Sequence, residues 1–212
     1  MKRIFSVCLI ALMATTSIYS QEVNNNEYDW SEYRHSLSIS AGAPSGYWLM
    51  RTILVGVWVA AADHAGESNY YGAYSMQYHY QALKWLRAGF KVSWEGDGHN
   101  IYAEKEQENL KGYAFGHSAA LMASCQFTYL NRRHVQLYSG LDFGVEAMLS
   151  TNRYINGYKN SDGETYHVNS AWLPAINVTP IGVAFGNERV YGLAEVNIGS
   201  DALFKAGIGV HL

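Results

Sequence analysis

Apolar and polar residues alternate with a period of two along most of the chain beyond residue 34. Successive side chains of an extended strand point to opposite faces, so this pattern specifies strands with one apolar and one polar face. Residues 72–81 place Tyr74, Met76, Tyr78 and Tyr80 opposite Ser75, Gln77, His79 and Gln81. Residues 86–95 set Leu86, Ala88, Phe90, Val92 and Trp94 against Arg87, Gly89, Lys91, Ser93 and Glu95. In 135–147, Val135, Leu137, Leu141, Phe143 and Val145 oppose Gln136, Tyr138, Asp142 and Glu146. The last segment alternates Phe204, Ala206, Ile208, Val210 and Leu212 with Lys205, Gly207, Gly209 and His211.

Eight segments read this way, at roughly 35–43, 71–82, 84–95, 112–130, 134–149, 172–185, 190–199 and 202–212. Pro180 lacks the N–H a ladder needs, so it predicts a bulge in the sixth, with Val178, Ile181, Val183 and Phe185 still sharing the apolar face. Connections of a few residues (Leu83; Asn131-Arg132-Arg133; Gly186 to Arg189) alternate with longer ones at 44–70, 96–111 and 150–171. Ser200-Asp201 is the short exception among the latter. Short turns at one end and long loops at the other are the connectivity of an up-and-down transmembrane β-barrel. The fold class expected is therefore all-β, an eight-stranded antiparallel barrel.

Alternation does not say which face points inward. A lipocalin-like barrel or a soluble β-sandwich has the same period with its apolar faces inside. Two features favour polar-in. The polar faces mix glycines (Gly89, Gly140, Gly144, Gly207, Gly209) with Arg87, Lys91, Glu95, Asp142, Glu146, Glu195 and Lys205. A narrow eight-stranded lumen is filled by such a mixture. The apolar faces also end in aromatics (Tyr80, Trp85, Trp94, Tyr113, Tyr129), as the interfacial girdles of a membrane barrel do. Buried charges must pair to offset desolvation, so these seven lumen residues are expected to form a network that plugs the tube.

Composition narrows the classes. Charged residues make up 16%, against about 25% in average soluble domains. With 17 Tyr, 6 Trp and 7 Phe the chain is too aromatic for disorder. The 15 Lys+Arg against 18 Asp+Glu leave no basic field for nucleic acid. Met1-Lys2-Arg3, an apolar run from Ile4 to Met13 and the small or polar Ala14 to Ser17 form an export signal. Ser20-Gln21 is the cleavage point read here. The expected organisation is thus a signal peptide at 1–20, an N-terminal extension at 21–34 and a barrel at 35–212. Cys8 leaves with the signal, and its surroundings do not make a lipoprotein box. Cys125 is then the sole thiol, so no disulfide framework supports the fold.

The terminal stretch Lys205-Ala-Gly207-Ile-Gly-Val210-His-Leu212 resembles the C-terminal targeting strand of outer-membrane proteins, although that signal usually ends in an aromatic. His35 to Gly42, Gln126 to Leu130 with His134 to Gly140, and Pro174 to Gly182 resemble the small outer-membrane β-barrel proteins of the Bacteroidota type. The resemblance implies an outer-membrane location and lipid and the barrel-assembly machinery as partners. The family is mostly of unassigned function, and the resemblance hands over no catalytic residues.

Candidates for chemistry are thin. His79, His117 and His211 fall in strands, and His99 and His167 in loops. A lipid hydrolase would pair a histidine with a serine nucleophile. His117 and Ser118, being adjacent on a strand, face opposite ways, and His167 with Ser170 is weaker still. There is no His-Glu-x-x-His, cysteine pair or Ca²⁺ loop, so neither metal nor cofactor is expected. Gly96-Asp97-Gly98 and Asp162-Gly163-Glu164 read as turns. Glu104 to Glu108 reads as a solvated charge run, and Asn177-Val-Thr179 as a chance glycosylation sequon. The apolar Tyr47–Ala62 segment either seals one barrel end or offers a hydrophobic contact surface. The function expected is a non-enzymatic outer-membrane barrel presenting its loops for structure, adhesion or binding. The alternatives are a small transporter or channel for hydrophobic compounds and, behind it, a lipid-modifying enzyme.

Overall fold

The computed structural model describes residues 34–45, 68–102, 110–132, 134–159, 163–187 and 189–212. The signal segment, the apolar stretch at 47–62 and the charge run at 104–108 lie outside these residues. Eight strands run β1 (His35–Ser45), β2 (Ser68–Leu83), β3 (Leu86–Tyr102), β4 (Leu110–Arg132), β5 (Val135–Tyr154), β6 (Tyr166–Gly186), β7 (Val190–Gly199) and β8 (Ala202–His211). Each pairs antiparallel with its neighbours in sequence, and β1 pairs with β8 to close the barrel. Closure removes every open edge wherever the ladders run their full course.

The ladders do not all run equally far. The 10 or 11 residues of β1, β7 and β8 are about what a tilted strand needs to cross a bilayer core. The strands β3 to β6 have 17, 23, 20 and 21 residues. Of the long loops expected at 96–111 and 150–171, residues 96–102, 110–111, 150–154 and 166–171 are therefore strand, and the polar composition read there as loop belongs to a wall that outgrows the rest of the barrel. The β6–β7 ladder reaches only from Gly186 to Asn177, so β6 continues past β7 paired on its β5 side alone.

Gly96-Asp97-Gly98 is a correction of the same kind, for it is continuous strand paired to β4 and β2. Its glycines do not turn the chain. They make room on the outer face, where a Cβ on Gly96 would sit 3.2 Å from Trp94 and one on Gly98 2.7 Å from the Tyr71 hydroxyl. His99 and His167 likewise belong to strands, β3 and β6. At Pro180 the register slips, with Tyr138 opposite Gly182 but Gly140 opposite Thr179, and a second shift between Val178 and Ile181 on the β7 side.

The two faces separate cleanly. Ser75, Gln77, His79, Lys91, Ser93, Ser124, Gln126, Asp142 and Asn177 are buried inside. Phe143, Ile176, Ile198, Phe204 and Ile208 stand outward, each more than half exposed. Outer aromatics gather toward both ends. Trp85 stacks on Phe127 at the short-turn end, and Trp94 lies between Tyr74 and His117 farther along, with both centroid distances 5.8 Å. At the β1–β8 seam, Ser36, Ser38 and Ser40 oppose His211, Gly209 and Gly207 on the inner face.

Candidate functional site

The lumen holds the chain's unusual chemistry. All seven charged residues read from the sequence as lumen groups, Arg87, Lys91, Glu95, Asp142, Glu146, Glu195 and Lys205, are buried. They reach it from β3, β5, β7 and β8 because each occupies the inward phase of its strand. The structure joins four of them through a residue that the alternation did not single out. Lys91 pairs with Asp142 and, at 3.1 Å, with Asp201. Asp201 also takes Lys205 at 2.8 Å, and Lys205 takes Glu195 at 2.7 Å. The result is one chain, Asp142–Lys91–Asp201–Lys205–Glu195, across the tube.

Hydrogen bonds extend it. The Ser124 hydroxyl donates to Asp142 at 2.5 Å and lies 2.9 Å from the His79 ring. The Asn177 amide donates to Asp142 at 2.9 Å. The Tyr138 hydroxyl donates to Glu195 at 2.7 Å, and the Ala202 amide to Asp201 at 2.8 Å. Asn197 accepts from Thr179 at 2.6 Å and from Asn177 at 3.2 Å. Almost every carboxylate oxygen of the chain therefore faces a donor, which is what keeps buried ions tolerable.

Arg87 stands apart toward the short-turn end, where its Nε donates to Gln81 at 2.5 Å. Around it Tyr138, Ala184, Tyr191 and Leu193 form an apolar cluster inside the tube. Two glycines admit the tyrosine rings. A Cβ on Gly182 would meet Tyr138 at 2.3 Å, and one on Gly209 would meet Tyr191 at 2.2 Å. His211 packs on Tyr191, with centroids 4.6 Å apart. Charges, amides and rings thus fill the tube from the short-turn end to the level of Lys91.

On the other side of Lys91 the packing opens. Glu95, Asp97, Ser118, Ser150 and Asn169 line a cavity of about 350 Å³. Glu146 lies on the inward phase of β5, paired in register with Ala120 and Leu173. It is 5% exposed and makes no ion pair or hydrogen bond among the described residues. Asp97, expected in a turn, joins Glu95 on this face, and both have interactions of their own.

The other candidates separate as strand geometry dictates. Ser118 is buried inside while His117 stacks on Trp94 outside, so the two do not meet. His167 contacts Glu164 and Asn169, at 3.3 and 3.1 Å, in exposed positions. No group of three metal-ligating side chains converges among the described residues. Cys125 is a free thiol. Of the terminal strand, Lys205 is inside, while Val210 and Leu212 are outward and 37% and 66% exposed. Asp201, Ser124, Asn177 and Asn197 are the network members that sequence reasoning missed. Lys205 four residues after Asp201, and the surplus of acids over bases among the lumen groups, were the available signals.

No protein-family model and no curated protein sequence matches the chain. Among solved structures, the chain is similar to the attachment invasion locus protein Ail of Yersinia pestis, at 14% identity and a TM-score of 0.41 over 84% of this chain and 95% of that one. Ail in complex with the heparin analogue sucrose octasulfate gives 12% identity and a TM-score of 0.39, over 84% and 92%. The N-terminal β-barrel domain of Pseudomonas aeruginosa OprF gives 12% and 0.38, over 84% and 97%.

Proposed function

We propose that the chain is an integral outer-membrane β-barrel whose lumen is shut and whose long-stranded end serves as a structural, adhesive or binding surface, without catalysis. The observation that carries this reading is the inversion of its faces. Lys91, Asp142 and Asp201 are at most 2% exposed inside, while a continuous band of Leu, Ile, Val, Phe and Trp faces outward. Water would penalise that band by about 25 cal/mol for each Å² of apolar surface, and a bilayer would not. The short strands β1, β7 and β8 fix the thickness crossed, and β3 to β6 extend beyond it. The barrel-assembly machinery and outer-membrane lipid are the partners this reading requires, with Lys205, Gly207, Val210 and Leu212 as the targeting strand.

Fractionation tests it. The mature protein is expected with the outer membrane, to migrate differently in gels before and after heating, and to give no conductance steps in planar bilayers. Recovery as a soluble periplasmic monomer without detergent overturns the membrane reading. Steady conductance by a heat-modifiable membrane species replaces the closed scaffold by a channel.

A further inference from the structure

We propose that Arg87, at the short-turn end of the lumen, binds a monatomic anion of the chloride type as its counter-ion. This deepens the closed-lumen reading above and rests on the polar-in barrel.

Burial without a charged partner is the first argument. Arg87 is 4% exposed. Its Nε donates to Gln81, while its Nη2 is buried and has no hydrogen-bond partner. It makes no ion pair among the described residues, whereas Lys91 and Lys205 share Asp142, Asp201 and Glu195 between them. The ionisable side chains that act on it are Tyr191 and Tyr138, whose hydroxyls are neutral near pH 7. Glu195 accepts from that Tyr138 hydroxyl and is already paired with Lys205 at 2.7 Å. A guanidinium does not shed its proton as a buried lysine can, so a charge taken out of water here calls for an anion.

The second argument is that the surroundings offer donors and no acid. Gln81 on β2 and Gln126 on β4 stand opposite Arg87 in register. The Gln126 amide makes no hydrogen bond among the described residues, so its N–H groups can turn to an anion beside the guanidinium. His211 of β8 lies within electrostatic reach of Arg87. Arg34 and Arg189, exposed at the same end, also form no ion pair among the described residues. A rim of this sign raises the local concentration of anions.

Packing sets the size. Gln81 and Gln126 are each 8% exposed and His211 5%, and the Tyr138 and Tyr191 rings fill the tube beside them. A phosphate, or a carboxylate carried on a chain, would have to part these side chains. A monatomic anion takes about the place of one water, a share of roughly 30 Å³.

The test is thermal melting of the mature protein in detergent at constant ionic strength, with sodium gluconate progressively replaced by sodium chloride. A saturable rise in Tm is expected, and bromide should give it as well. Arg87→Gln should lose the response and, in gluconate, melt above the unaltered protein, because the unpaired charge is gone. Arg87→Lys should keep the response with an apparent affinity about tenfold weaker, since a point charge replaces the planar fork. Lys159→Ala should respond as the unaltered protein does. Heat-modifiable migration is scored on every variant. Where Arg87→Gln fails to fold, bromide in crystals of the unaltered protein decides: an anomalous peak at the guanidinium is expected, and its absence overturns the inference. A folded, unaltered protein whose Tm ignores chloride overturns it too and leaves the barrel standing. So does an equal rise in folded Arg87→Gln, which marks a general salt effect. A response that emerges only after Glu22, Glu27, Asp29 and Glu32 are changed to their amides makes the acidic extension the counter-ion and overturns the free anion.

Discussion

Asp201 shows how much a single side chain can carry when it is reached from two directions. It accepts Lys91 from β3 and Lys205 from β8, and its backbone neighbour Ala202 caps its other oxygen. Removing Lys91 leaves Asp142 and Asp201 each short of a cation in a nearly dry place, a cost of about 3–5 kcal/mol. Lys91→Ala should therefore lower the melting temperature in detergent clearly, and Lys159→Ala, on the exposed side of the β5–β6 connection, should not move it. A second prediction belongs to Gly182. The Tyr138 ring already fills the space a methyl would take, so Gly182→Ala should cost about 1–3 kcal/mol by overpacking, read in the same melt. At this scale the alternation displayed the inward charges, because phase along a strand is local. It did not display Asp201, because a two-residue turn has no phase. Only the closing of the barrel brings that turn over Lys91.

Strands were easier to see than their ends. The apolar half of the alternation is what a sequence shows most plainly, and it fades where β3 to β6 leave the proposed membrane and their outer faces become mixed. Hence 96–102 and 150–154 read as loop, and Gly96-Asp97-Gly98 as a turn, although all continue the ladders. Pro180 was readable because a missing N–H has one consequence in any sheet. The terminal element carries its own prediction. Leu212 is 66% exposed, so its side chain contributes little to folded packing, and its proposed role is in delivery. Leu212→Asp should lower the amount of barrel inserted, and Leu212→Phe should preserve or raise it. Equal membrane yields would remove Leu212 from the targeting strand.

For the whole molecule, the proposed scaffold with its taller end as working surface rests on an apolar outside and a filled inside, and the fractionation and conductance experiments test that proposal directly. The seam between the first and last strands has a further consequence. On its inner side β1 offers Ser36, Ser38 and Ser40 to His211, Gly209 and Gly207 of β8. Three identical small residues at every second position are nearly indifferent to sliding by two, so the joint itself says little about where β8 should stop. The lumen supplies that information from a distance. Only one alignment of the β7–β8 hairpin sets Asp201 on Lys91 and Glu195 under the Tyr138 hydroxyl. A slip by one residue turns Lys205 and Glu195 out toward the apolar side, and a slip by two carries Asp201 past its lysine. The salt-bridge chain thus works as a vernier scale, with the last hairpin reading its position against β3 and β5, strands laid down well before it in the chain.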